Sequence, residues 1–175
     1  MSEMSRPAVW EKRKSVRKYS SKEVSNDAVN RILSAAIKAP SAGNIQPWHF
    51  FVITDLNAKD QLCSAALNQG FVKEAPIVIV VCAKPQESAK KYKDRGINLF
   101  CIQDTAAAIQ NMLLAAVSEG LGSCWVGAFD EDEAARIIDV DKETTRPVAL
   151  ITLGYPEKEP SKRPRHPLDE VVTWQ

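Results

Sequence analysis

A chain of 175 residues with 45% hydrophobic and 26% charged side chains has enough apolar material for one sizeable core, which excludes an overall disordered polymer. Its formal net charge of +1 gives no global attraction to nucleic acid or to an anionic membrane, so any basic function must be local. Cys63, Cys82, Cys101 and Cys124 form no C-x-x-C pair and have no histidine cluster beside them. This argues against a zinc site and a disulfide framework, and for buried thiols in a reducing compartment. No apolar run approaches bilayer length, and residues 1–6 lack the apolar core of a signal peptide, so the expected location is the cytoplasm.

In chain order, residues 8–14 predict a short helix that runs into a basic knot. Lys12, Arg13, Lys14, Arg17 and Lys18 fall within seven positions around Ser15. Guanidinium forks and a hydroxyl suit a phosphate monoester, although a solvated basic face has the same composition. Ser25 reads as an N-cap with Asp27 in the first turn, and Val29, Ile32, Leu33, Ala36 and Ile37 recur at helical spacing as far as Pro40. The next stretch, Pro40-Ser41-Ala42-Gly43-Asn44-Ile45-Gln46-Pro47, combines fixed and permissive backbone with short polar side chains. Such a loop can pair with the polar edge of a flat heteroaromatic ring, with Trp48 and Phe50 as apolar surface. An ordinary helix-to-strand connector has similar residues.

Residues 48–54 are aromatic and β-branched, a strand, and Asp55 opens a helix as far as about Gly70. His49, inside that strand and without Asp, Ser or Cys beside it, reads as a packing residue. Residues 76–83 are apolar without alternation, as in a central strand covered on both faces. Residues 84–95 are charged and irregular, a loop or frayed helix. Residues 104–119 predict a helix apolar almost all round, stopped by Gly120 and Gly122. Residues 123–129 read as extended, 130–140 as a short acidic helix and 147–153 as a final core strand. Beyond Tyr155, Pro156, Pro160, Pro164 and Pro167 impose an extended path, and Lys162, Arg163 and Arg165 form a second basic group. That group can complete a phosphate site begun at Arg13, or belong to a disordered tail.

Four segments together, Arg13-Lys14-Ser15-Val16-Arg17, residues 39–50, Gln103-Asp104-Thr105-Ala106-Ala107-Ala108 and Gly120-Leu121-Gly122-Ser123-Cys124-Trp125, resemble in this order the nitroreductase family of FMN-dependent oxidoreductases. The resemblance spans about residues 13–172. It implies a single nitroreductase-like domain over residues 1–175, with residues 155–175 as an extended C-terminal arm. The implied fold is α+β, three layers α/β/α around a central mostly antiparallel sheet, with a buried long helix. The implied assembly is an intertwined homodimer with FMN sites at the subunit interface.

By motif, Arg13, Lys14, Ser15 and Arg17 match the family's phosphate and ring-edge binders, with Arg163 and Arg165 as the basic pair near the C-terminus. Pro40, Ser41, Ala42, Gly43 and Asn44, with Gln46 beside them, match the loop that reaches the flavin, usually from the partner subunit. Trp125, Val126 and Gly127 match a segment along one edge of the isoalloxazine. The implied activity is ping-pong transfer of two electrons from NADH or NADPH through FMN to a nitroaromatic, quinone or related small acceptor, with no catalytic side chain and no metal. Dehalogenation or heterocycle oxidation on the same fold, and a flavin-binding redox sensor without efficient turnover, are the alternatives. Short residues 84–96 stand where larger members carry insertions, so the acceptor stays open. No nucleic acid or membrane partner is expected.

Overall fold

A computed structural model describes residues 9–161 and 163–175. Four strands, β1 (Trp48–Ile53), β2 (Ile77–Ala83), β3 (Gly122–Val126) and β4 (Arg146–Gly154), form one sheet in the order β1-β2-β4-β3, with every neighbouring pair antiparallel. β2 is buried at all seven positions, as its unbroken apolar run predicts, and its side chains divide by the period of two. Ile77, Ile79 and Val81 join Ile151 and Leu153 of β4 beneath the helices α2 (Asn26–Ala36) and α6 (Cys101–Ser118). Val78, Val80 and Cys82 meet Leu150, Leu62, Val72 and Ala134, beneath α3 (Leu56–Ala65), α4 (Phe71–Glu74) and α7 (Glu131–Ile137). The two half-cores make three layers, α/β/α, and each fully buried Ile or Leu in them contributes about 1.5–3 kcal/mol.

The caps follow the sequence. Ser25 Oγ accepts from the Ala28 N–H, Asp55 Oδ1 from the Ala58 N–H, and Asp130 Oδ1 from the N–H groups of Asp132 and Glu133. Among the described residues helix α1 covers Val9–Lys12, and the tail carries one helical turn, α8 (Leu168–Val171), directly after Pro167. The helix expected to reach Gly70 stops at Ala65, where Leu67 and Asn68 turn into left-handed backbone before α4.

Three further expectations need correction. Residues 84–95 are an ordered helix, α5 (Pro85–Arg95), started by a proline whose missing N–H costs a first turn nothing. Lys93 (φ 49°, ψ −135°) breaks its path, and a π-turn (Gly96–Phe100) leads on into α6. The combined run Pro85–Ser118 reaches 34 residues, and by length and composition it is apolar enough to cross a membrane, contrary to the expectation that no such run exists. Its apolar half, α6, packs on α2 and the sheet as a core helix does. Nor is α6 buried all round. Asp104, Ala108, Ile109, Met112 and Ala116 face the core, whereas Ala106, Ala107, Leu114, Ala115 and Val117 stay half-buried. Ala107 and Ala115 still lean on the core, and among the described residues part of that second face opens beside α2 at Ala35, Lys38, Asn111 and Leu114.

Candidate functional site

The basic segment after α1 runs extended beside β3, where Ser15 bridges Ser123 in parallel. Val16 is buried against Gly122. Alternation along an extended chain then sends Arg13, Ser15 and Arg17 to the opposite side. Tyr19 fixes the next turn: its hydroxyl donates to the Val16 carbonyl at 2.7 Å and shares a 2.6 Å hydrogen bond with Thr152 Oγ1. Burial pushes that phenol far above its ordinary range. The tail returns along the same segment, with Tyr19 bridging Pro156 and the Glu157 N–H donating to the Lys18 carbonyl at 3.1 Å.

This crossing gathers both basic groups. Arg13, Lys14, Ser15, Arg17, Arg163 and Arg165 line one groove of ≈ 830 Å³, together with Trp10, Lys18 and Lys158. Lys162 lies outside the described residues. Four guanidinium groups, further ammonium groups and a hydroxyl fit a phosphate monoester, and the volume admits the chain attached to it. Sequence reasoning missed Lys158 and Glu159. Glu159 holds the Lys14 ammonium at 2.5 Å while remaining 83% exposed itself. The only signal for it is its place in a tail that must run over some surface.

Beneath the groove lies the Cys124 thiol. Burial pushes it up, and Arg17, Ser15 and Arg13 work against that by favouring the thiolate. The three other cysteines are likewise free and buried, and burial pushes the Cys82 thiol up to about 12.

None of the loop residues Pro40, Ser41, Ala42, Gly43, Asn44 and Gln46 lines the groove. The loop forms a 3-10 turn (Ala42–Asn44) on the other flank, against α5 and α6. Gly43, Asn44 and Gln46 all have φ near +56°, a conformation that costs about 1 kcal/mol for the two residues with side chains. Part of the loop's polar capacity is spent inside it: Ser41 Oγ accepts from the Gln46 N–H at 2.9 Å, and the Gln46 amide reaches Asn44. Asp104 of α6 supports the strain, its Oδ1 accepting from the Ala42 N–H at 3.0 Å. The other oxygen, Oδ2, is buried with no partner among the described residues. Burial accordingly raises the Asp104 carboxyl, against the hydrogen bond from Ala42.

The third predicted segment is divided. Trp125 is 39% exposed, Gly127 is exposed, and Val126 is buried in the core beneath α3, so only its backbone can meet a ligand. His49 is exposed on β1 and meets the Phe51 ring in a tilted contact at 4.7 Å and 56°, and partial burial and Lys84 hold its imidazole below the usual range.

With this geometry in hand, known proteins are informative. The model of the nitroreductase family matches residues 10–69 and 60–155. A protein of Archaeoglobus fulgidus, provisionally named an NADH dehydrogenase/NAD(P)H nitroreductase, is 37% identical over 84% of this chain and 83% of its own. The NADH dehydrogenase of Thermus thermophilus is 32% identical over 93% of this chain and 92% of its own. The structure of the NADPH:FMN oxidoreductase of Vibrio harveyi complexed with NAD+ superposes with a TM-score of 0.86 at 25% identity, over 95% of this chain and 75% of that one. Sequence, architecture and the order of the motifs agree, and the chain belongs to the nitroreductase family.

Proposed function

We propose that this chain is an FMN-dependent NAD(P)H oxidoreductase of the cytoplasm, acting as a homodimer on a nitroaromatic, quinone or related small acceptor. The carrying observation is the single groove lined by basic groups from opposite ends of the chain, Arg13 to Arg17 and Arg163 with Arg165. Bound flavin supplies the two-electron chemistry, in ping-pong order between NADH or NADPH and the acceptor.

The residues divide the remaining work. Arg17, Arg163 and Arg165 bind the FMN phosphate as charge-assisted donors, with Ser15 adding a hydroxyl. Arg13 or Lys14 puts a positive charge at the pyrimidine edge, where negative charge accumulates on reduction. The loop from Pro40 to Gln46, with Trp125 and the Gly127 backbone, orients the ring. Because groove and loop lie on different flanks of one chain, a second copy completes each site, and the half-buried face of α6 supplies an apolar surface for it. Four buried, unpaired thiols suit a reducing compartment.

The test is the double substitution Arg17→Ala with Arg165→Ala. The purified protein is expected to lose its yellow flavin absorbance while its far-ultraviolet circular dichroism is kept. Undiminished flavin in that variant removes the phosphate assignment. Sedimentation at micromolar concentration tests the assembly, and a monomer that still carries flavin refutes the shared site.

A further inference from the structure

Beside the polar loop stands a row of side chains that the flavin reading leaves unused. A Cβ added at Gly43 would meet Lys91 Nζ and the Tyr92 hydroxyl, each at 2.7 Å, so both groups sit at the loop's tip. The Lys91 ammonium stands 5.4 Å from the centroid of the Tyr92 ring. That ring meets Phe100 edge-on at 4.9 Å and 89°. The Arg95 guanidinium in turn stands 5.2 Å from the centre of the Phe100 ring. Each cation thus rests against one ring of a packed pair, which restricts its freedom before any ligand arrives.

Among the described residues Lys91 and Arg95 make no ion pair, whereas Lys90 on the same helix is bound to Glu87 at 2.6 Å. Neither lines the groove assigned to the flavin phosphate. Paired, exposed and preorganised positive charge next to a redox site suits a ligand that carries more negative charge than its competitor. The two candidate hydride donors differ by one phosphate monoester, on the adenosine 2′-oxygen. Arginine offers a two-pronged donor for such a group and lysine a point charge.

We infer that Lys91 and Arg95 recognise the 2′-phosphate of NADPH and give this enzyme a preference for NADPH over NADH. The inference rests on the proposed place of the loop at the flavin, and its test separates the two. Flavin-loaded wild-type protein and the variants Lys91→Met, Arg95→Met and the double variant are compared with both nucleotides. Methionine keeps an apolar stem on the rings and removes only the charge. The double variant is expected to lose about tenfold or more in kcat/KM for NADPH, with NADH changed less than about twofold, since a hydrogen bond to a charged group is worth about 1.5–3 kcal/mol. Lys90→Met, which removes an already paired charge, is expected to match wild type.

Binding gives a readout apart from turnover. By calorimetry on the flavin-loaded protein, 2′,5′-ADP is expected to bind the double variant about tenfold more weakly than wild type, while 5′-AMP binds both alike. Equal losses for NADPH and NADH, or no loss for either, overturn the inference and leave the proposed function standing. A yellow wild-type protein that oxidises neither nucleotide overturns both.

Discussion

The Val16 N–H donates to the Ser123 carbonyl at 2.9 Å, and Val16 packs so closely on the strand that a Cβ at Gly122 would lie 2.5 Å from its Cγ2 and 2.8 Å from its Cβ. This seam carries the basic segment on the edge of β3. Gly122→Ala forces Val16 outward and with it Ser15 and Arg17, an overpacking change worth about 1–3 kcal/mol. The variant is expected to melt several degrees lower and to retain less flavin. Calorimetry and the flavin-to-protein absorbance ratio check both effects, and an unaltered melting temperature with full flavin would show that the seam tolerates a methyl group.

Asp104 supplies a pH-dependent contribution. Burial raises its carboxyl in the folded chain above the usual aspartate range, so the unfolded chain releases this proton more readily. The stability that Asp104 contributes is therefore present at pH below the unfolded carboxylate range and is lost as pH rises through the folded value. Asp104→Asn keeps an acceptor for the Ala42 N–H and removes the charge. Its stability relative to wild type should improve between pH 4 and pH 7, measured as urea midpoints at the two values. A constant difference across that range would mean that the unpaired Oδ2 is solvated.

What was legible in the sequence was local. Ser25 and Asp55 announce helix starts by side-chain chemistry alone, and the unbroken run from Ile77 to Ala83 requires cover on both faces, which fixes β2 inside the sheet. Helix α5 was hidden because Lys90, Lys91 and Lys93 interrupt any apolar period, and its fold-back depends on Gly96 lying against the Ser88 carbonyl. The two basic groups were visible as charge. Their meeting was not, because it depends on pairings between distant residues: Ser15 with Ser123, and Tyr19 with Pro156. The support that Asp104 gives Ala42, 62 positions away, has no local signature either.

Glu159 competes with the ligand proposed for Lys14. The pair is well formed, and Lys14 pulls the Glu159 carboxyl below its ordinary range, yet Glu159 is almost wholly in solvent. Exposed pairs of this kind are weak and sensitive to salt. Glu159→Gln frees the ammonium without changing shape. Flavin affinity is expected to rise about two- to fivefold at low ionic strength and to converge with wild type at high salt. Fluorescence titration of the apoprotein with FMN at two salt concentrations checks this; weaker binding by the variant would make Glu159 a support for the site instead of a competitor.

The proposed chemistry asks the protein for position and charge and for no acid, base or thiol. His49 is exposed, packs at a tilt on Phe51 and is held toward its neutral form. The cysteines are buried, and burial disfavours the thiolate at Cys82, Cys101 and Cys124. His49→Asn and the single Cys→Ala variants should therefore keep NAD(P)H oxidation within a few-fold of wild type once rates are normalised to bound flavin. Arg13→Gln and Lys14→Gln should instead slow reduction and lower the flavin potential, because each removes a charge proposed for the pyrimidine edge. General acid or base help is worth about a hundredfold or more. A loss of that size in the His49 variant at full flavin occupancy, with the potential unchanged, would identify His49 as a proton donor and overturn the assignment of turnover to flavin and charge alone.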